Sequence, residues 1–203
     1  MLHFARAAAL VSVLLLALAL SACRRSVEPA PPAGQLRIVC TTGMVADVAR
    51  NVAGEHAQVI TLMGEGIDPH LYKPSRSDMN TLMTADVVFY NGLLLEGKLT
   101  DALVKAANAG RKAYPVTELI PADNLLTPED FEGHEDPHVW MDPLAWATTA
   151  DVVRDRLSEL APAHADTFAA NAETYKSAIR DLHTFSQACV DSIPSTSRVL
   201  VTA

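Results

Sequence analysis

Residues 36–63 read LRIVCTTGMVADVARNVAGEHAQVITLM, and this stretch decides the fold that the sequence predicts. Two short apolar runs, LRIVC and QVITLM, are typical of buried strands. Between them, Met44, Val48 and Val52 share one face of a helical pattern that ends at Gly54. Strands separated by helices of this length favour a parallel sheet that is covered on both faces.

The same alternation continues along the chain as far as residue 116. It predicts two further helices and two further strands, with the sequences SRSDMNTLMTA, DVVFYNG, LTDALVKAANAG and KAYPV. An irregular acidic stretch follows at residues 118–137, and Asp142-Pro143 then predicts the N-cap and first turn of a helix that runs to Leu160. The expected architecture is an N-terminal α/β lobe over residues 36–160, with a parallel sheet and flanking helices.

Beyond this lobe, residues 163–192 carry apolar positions at a nearly heptad spacing and predict one long connecting helix. A helix of about 30 residues spans about 45 Å, which is longer than a small lobe is wide. Residues 197–203 then predict a new strand. Because an isolated strand needs neighbours at its edges and cover on its faces, we expect it to open an incomplete second lobe.

The N-terminal region is predicted to direct export. Residues 1–22 contain Arg6 followed by a short apolar run, which fits a signal peptide and is too short for a spanning helix. Leu20 to Cys23 resembles a bacterial lipobox, in which the cysteine is lipidated, although an ordinary signal peptide with a chance cysteine would look similar. The proline-rich residues 23–35 predict a tether, so we expect an exported, lipid-anchored protein in the periplasm or at the cell surface.

Charge and cysteine content narrow the possible functions. The chain has 24 acidic and 16 basic residues, and loss of residues 1–22 would remove one more basic group. Nucleic acid is therefore not an expected partner, because its binding depends on a basic surface. Cys40 and Cys189, the two cysteines besides Cys23, are both predicted to be buried apolar residues without thiol chemistry.

The tripeptide Asp-Pro-His occurs twice, at residues 68–70 and 136–138. In each copy the proline restricts the backbone, so that His70 or His138 is presented from a stiff turn. Such histidines are candidate ligands of one divalent metal ion, with carboxylates near enough to orient the rings. The alternative is that both are ordinary surface or capping histidines. His134 lies four residues before His138, but Pro137 argues against a helical pair, and we expect His134 to be exposed.

Several ordered motifs resemble the zinc and manganese solute-binding lipoproteins of bacterial ABC transporters. They are the lipobox, IVCTTGMVADVARNVAG, GIDPHLYKPSRSDMNTLMTADVVFYNGLLLEGKL and DPHVWMDP. The resemblance implies two α/β lobes joined by a rigid helix, with a metal site between them. It also implies that His70 and His138 are the ligands from the first lobe. The two remaining ligands, a His or Glu and an acidic residue, would lie beyond residue 203.

The expected function is therefore that of an extracytoplasmic receptor that captures Zn²⁺ or Mn²⁺ and delivers it to an ABC transporter permease. Such a protein binds and releases its ion and is not an enzyme. Two alternatives stay open. One is a surface adhesion lipoprotein in which the metal is incidental. The other is a secreted metallohydrolase, although the sequence lacks a ligand cluster such as HExxH.

Overall fold

The computed structural model describes residues 32, 34–108, 110–131 and 133–199. The predicted signal peptide, the predicted lipidation site Cys23 and residues 200–203 lie outside these ranges, so the predictions for them stay untested. The described chain contains four strands: β1 (Leu36–Cys40), β2 (Ala57–Thr61), β3 (Val87–Tyr90) and β4 (Ala113–Pro115). It also contains six α-helices: α1 (Gly43–Ala53), α2 (Arg76–Met83), α3 (Leu99–Asn108), α4 (Pro143–Ala147), α5 (Thr149–Leu160) and α6 (Ala165–Asp191).

The four strands form one parallel sheet in the order β2-β1-β3-β4. Ile38 of β1 is aligned with Val59 of β2 on one side and with Val87 of β3 on the other. All four strands therefore end at the same edge of the sheet. The structure confirms the predicted fold class, a parallel α/β lobe with flanking helices followed by a long helix.

Alternate residues of the central strands supply two separate cores. Ile38 and Phe89 face α1, α5 and the first half of α6, where Phe168 is fully buried among them. Val39 and Val88 face the opposite side, where they pack with apolar residues of α2 and α3. This arrangement follows from the two-residue period of a strand, since neighbouring side chains point to opposite faces of a sheet.

Helix α1 shows how the sequence sets the boundaries of an element. The hydroxyl of Thr42 accepts a hydrogen bond from the Val45 N–H, so that Thr42 is the N-cap. At the other end, Gly54 has φ 57°, a left-handed conformation in which glycine avoids the strain of a side chain. Between these ends, Val45, Val48 and Val52 are fully buried, and Met44 is partly buried against the same core.

The helix predicted from Asp142 to Leu160 is divided in two. Asp142 is its N-cap and Pro143 its first residue, as predicted. However, the hydroxyls of Thr148 and Thr149 donate to the carbonyl oxygens of Ala145 and Trp146, at 2.8 and 2.7 Å. These side-chain hydrogen bonds compete with the helical backbone ladder, so α4 ends at Ala147 and α5 begins at Thr149.

The long helix α6 lies within the predicted range 163–192 and contains 27 residues. Its first half is buried against α1, α4 and α5, whereas its second half leaves Leu182 49% and Phe185 67% exposed. The predicted strand at residues 197–203 is not seen in its described part. Ser197 ends a short 3₁₀ helix instead, and Arg198 and Val199 have no regular structure.

The two described cysteines differ in their surroundings. Cys40 is fully buried in the core, as predicted, and burial raises the pKa of its thiol well above the usual range. The prediction that Cys189 is buried was wrong, because Cys189 lies on the exposed second half of α6. Both thiols are free.

Among the described residues, no helix combines the length and the apolar character that crossing a membrane requires.

Candidate metal centre

The two histidines of the Asp-Pro-His tripeptides lie beyond the carboxyl ends of the strands. His70 follows β2 in the connection to α2, and His138 follows β4 in the connection to α4. In a parallel α/β sheet this edge is where ligands commonly bind, because loops from several strands converge there. The fold therefore brings together two residues that are 68 positions apart in the sequence.

The imidazole rings of His70 and His138 meet through their Nε2 atoms. The two nitrogens are 3.2 Å apart, and the ring planes make an angle of 63°. The His70 side chain is exposed, and that of His138 is 37% exposed. Both side chains are thus partly accessible from solvent.

The same type of hydrogen bond closes each of the two Asp-Pro-His turns. Asp68 Oδ1 accepts the His70 backbone N–H at 2.9 Å, and Asp136 Oδ1 accepts the His138 backbone N–H at the same distance. Each aspartate therefore closes a turn onto the residue two positions later, around the intervening proline. This bond fixes the backbone from which each ring projects.

In the second turn, residues 136–138, the aspartate also forms a hydrogen bond with the histidine ring. Asp136 Oδ1 lies 2.6 Å from His138 Nδ1, so the carboxylate accepts the Nδ1–H of the imidazole. Burial raises the pKa of Asp136, but the hydrogen bonds from the His138 backbone and ring lower it more, and the net pKa lies below the ordinary value. With Nδ1 protonated, the neutral His138 ring presents a lone pair at Nε2.

The segment that follows His138 places a tryptophan against its imidazole ring. A short 3₁₀ helix at Val139–Met141 begins directly after it, with the Met141 N–H donating to the His138 carbonyl oxygen at 3.0 Å. The Trp140 indole packs edge-to-face with the imidazole, with ring centroids 5.3 Å apart. His138 is therefore held by a hydrogen bond on one side and by an aromatic contact on another.

This geometry suits two ligands of one cation. Two nitrogens that each lie 2.0–2.1 Å from a tetrahedral zinc ion are separated by about 3.3 Å. The observed 3.2 Å is close to that separation. Without a cation, the same distance allows His70 to donate its Nε2–H to the lone pair of His138, so that ion binding would displace this proton.

Within the described ranges, no group of three or more His, Cys, Asp or Glu side chains is arranged to hold a metal ion. His70 and His138 thus form a pair, and His134 does not join them. His134 is exposed, as predicted, and residues 134–138 are not helical.

The sequence did not reveal the environment of two other histidines. His56 and His164 stack on each other, with ring centroids 3.9 Å apart and planes 18° from parallel, and both contact Phe168 edge-on. They come from the turn before β2 and the turn before α6, so no local spacing relates them. The stacked rings are a contact between the turn before β2 and the start of α6.

A second concave feature lies outside the histidine pair. It is an open groove of about 450 Å³ between α1, α4 and α6, lined by Trp140, Trp146 and Ile179 among others. Among its polar groups, Tyr175 donates its hydroxyl to Asp47 and accepts the Trp146 Nε1–H. Most of the lining is apolar, and it includes Trp140, Ile179 and Leu182.

A comparison with protein families gives one match that covers most of the chain. Residues 38–203 match the model of the family described as zinc-uptake complex component A, periplasmic. The match begins inside β1 and includes the other three strands, the six described helices and both Asp-Pro-His tripeptides.

Similar proteins are found among curated sequences and solved structures. The chain is 40% identical to the manganese-binding lipoprotein MntA of Bacillus subtilis over 194 residues, which cover 96% of this chain and 63% of MntA. It is 35% identical to the periplasmic zinc-binding protein TroA of Treponema pallidum, whose structure superposes with a TM-score of 0.79 over 84% of this chain and 60% of TroA. The Fe(III)-bound YtgA of Chlamydia trachomatis is 25% identical, with a TM-score of 0.74 over 83% of this chain and 59% of YtgA. The chain therefore spans less than two thirds of the length of these relatives.

Proposed function

The chain belongs to the family of periplasmic zinc-uptake complex component A proteins, and from this premise we propose that it captures Zn²⁺ or Mn²⁺ outside the cytoplasm for an ABC transporter. His70 and His138 are the proposed ligands from this lobe. The ion is cargo, so the chain binds and releases it without covalent chemistry.

The observation that carries this proposal is the 3.2 Å separation of the His70 and His138 Nε2 atoms. These nitrogens come from two separate loops and lie at the separation expected of two ligands of one tetrahedral ion. The carboxylate behind His138 adds support, because ligating imidazoles commonly donate their second N–H to such a group. The names of the relatives, which are manganese-binding, zinc-binding and Fe(III)-bound proteins, agree with a transition-metal cargo.

Two imidazoles alone leave half of a four-coordinate site to other donors. In the two-lobed protein that the sequence predicts, a second lobe would supply those donors. The relatives are longer than this chain, which is compatible with that arrangement. The exposed apolar side chains of the second half of α6, such as Phe185, would then be covered by the second lobe.

Proton competition gives the site a means of release. An imidazole that carries protons on both nitrogens cannot bind a metal, and ion binding therefore releases protons. We expect the affinity for Zn²⁺, measured by calorimetric titration, to fall as the solution is acidified.

The direct test is titration of the full chain with Zn²⁺ and with Mn²⁺ by isothermal calorimetry. We expect His70→Ala and His138→Ala each to weaken binding of the cargo ion by more than about 100-fold, since changes in groups behind the ligands alone cost about 10–100-fold. The control is His183→Ala, which removes an imidazole from the middle of α6.

The result that would refute the proposal is a double variant, His70→Ala with His138→Ala, that binds as tightly as the unaltered chain. The alternatives of an adhesion lipoprotein and a metallohydrolase stay predictions without a specific observation in their favour.

A further inference from the structure

A buried carboxylate, Glu96, lies between the two histidine-bearing loops. Its side chain is fully buried, and three groups from Thr41, Asn91 and Gly92 donate hydrogen bonds to it. Oε1 accepts the Thr41 hydroxyl at 2.8 Å and the Asn91 backbone N–H at 2.6 Å, while Oε2 accepts the Gly92 backbone N–H at 3.2 Å. Burial raises the pKa of Glu96 above its ordinary value, although these donors favour the ionised form.

These donors come from the ends of the two central strands. Thr41 directly follows β1, and Asn91 and Gly92 directly follow β3. One carboxylate thus ties together the carboxyl ends of two neighbouring strands, at the edge of the sheet beyond which the histidines lie.

Two residues near Glu96 in the sequence, Asn91 and Gly97, contact the histidine-bearing loops. Asn91 donates its side-chain Nδ2–H to the carbonyl oxygen of Pro137 at 3.0 Å, and Pro137 is the residue before His138. On the other side, Gly97 packs so closely on the His70 backbone that a Cβ at Gly97 would overlap with the His70 carbonyl oxygen. Glu96 is therefore adjacent to a contact with each loop.

The backbone between these contacts has an unusual conformation. Leu93 and Leu94 have φ values of 52° and 62°, in the left-handed region that residues with side chains seldom occupy. Such a conformation persists only where the surroundings determine it. At the start of this segment, Glu96 accepts hydrogen bonds from the Asn91 and Gly92 N–H groups. Backbone hydrogen bonds from Leu95 to Gly92 and from Gly97 to Leu94 complete the turn.

We propose that Glu96 is a positioning residue that sets the distance between His70 and His138. It holds the start of the segment 91–97, in which Leu93 and Leu94 are left-handed, and this segment contacts the Pro137 carbonyl on one side and the His70 backbone on the other. The inference rests on the proposed function, because the distance between the rings matters only if they share an ion.

The test is Glu96→Gln in the full chain, with Zn²⁺ as the probe. Glutamine keeps the size of the side chain but places an NH₂ group against donors that the carboxylate satisfies. We expect a loss of Zn²⁺ affinity of about 10-fold, in the range seen for groups that orient ligands. Glu55→Gln is the matched control, since it makes the same chemical change at an exposed side chain.

A double-mutant cycle distinguishes an effect of Glu96 on the positions of the two histidine rings from an effect on the stability of the whole fold. In a His70→Ala background there is no pair of rings to align, so Glu96→Gln should cause no further loss of Zn²⁺ affinity. The same fold-loss in both backgrounds would overturn the proposal, and so would a folded Glu96→Gln variant that binds Zn²⁺ as tightly as the unaltered chain.

If Glu96→Gln does not fold, as judged by circular dichroism, Asn91→Ala decides the question. It removes the contact with the Pro137 carbonyl, together with the hydrogen bond from Asn91 Nδ2 to the Gly92 carbonyl oxygen, and leaves the carboxylate in place. We expect it to weaken Zn²⁺ binding in the same direction. Unchanged affinity in that variant would contradict the proposal. If the unaltered chain does not bind Zn²⁺ through the two histidines at all, the proposed function fails instead, and that result does not involve Glu96.

Discussion

The two Asp-Pro-His tripeptides are identical in sequence but differ in what their aspartates contact. Both aspartates accept a backbone N–H from the histidine two positions later. Only Asp136 also accepts the ring Nδ1–H, at 2.6 Å. Since a carboxylate behind a ligating imidazole fixes its tautomer and increases its basicity, the two histidines should contribute unequally to a shared site.

This difference predicts unequal effects of the same substitution. Asp136→Asn should weaken Zn²⁺ binding by about 10-fold, because it removes the charge that supports the His138 ring. Asp68→Asn should have a smaller effect, because the asparagine oxygen can still accept the His70 backbone N–H. Calorimetric titration of both variants with Zn²⁺ shows which one loses more affinity. An equal or larger loss of Zn²⁺ affinity in Asp68→Asn would show that the ring contact of Asp136 is unimportant.

At the scale of the element, the Asp142-Pro143 pair has the clearest relation between sequence and structure. Asp142 Oδ1 accepts the N–H groups of Leu144 and Ala145, at 2.9 and 3.2 Å, and Pro143 occupies the first helical position, where no donor is needed. Helix α4 has only five residues, so its N-cap is a large part of its local stability.

We therefore expect Asp142→Ala to lower the free energy of unfolding by about 1 kcal/mol, the usual loss when an N-cap side chain is removed. Asp142→Asn keeps an acceptor in the same position and should be nearly neutral. Urea denaturation monitored by tryptophan fluorescence measures both. If the asparagine variant were as unstable as the alanine variant, the capping hydrogen bonds would not be the cause.

At the scale of the whole molecule, the sequence predicted the sheet and its helices well because they depend on local patterns. The apolar periods of β1, α1 and β3 place the same residues in the core that the structure buries. Cys189 shows where this reasoning fails. Its spacing continues the apolar face of α6, but the face extends beyond the lobe, so nothing among the described residues covers it.

The candidate site was only partly predictable for the same reason. Proline and aspartate beside His70 and His138 are visible in the sequence, and the edge of the sheet predicts that the two loops converge. Glu96 carries no such indication, because a single glutamate in a loop is normally exposed and its donors come from residues 41, 91 and 92. The His56–His164 stack likewise depends on tertiary packing between distant turns.

The measurement that tests the central claim most directly is a crystal structure of the full chain grown with Zn²⁺, with anomalous diffraction recorded at the zinc edge. We predict one peak that lies about 2.0–2.1 Å from Nε2 of both His70 and His138. A peak on only one of the two rings, or at Nδ1, or at a different place with the two rings apart, would contradict the account.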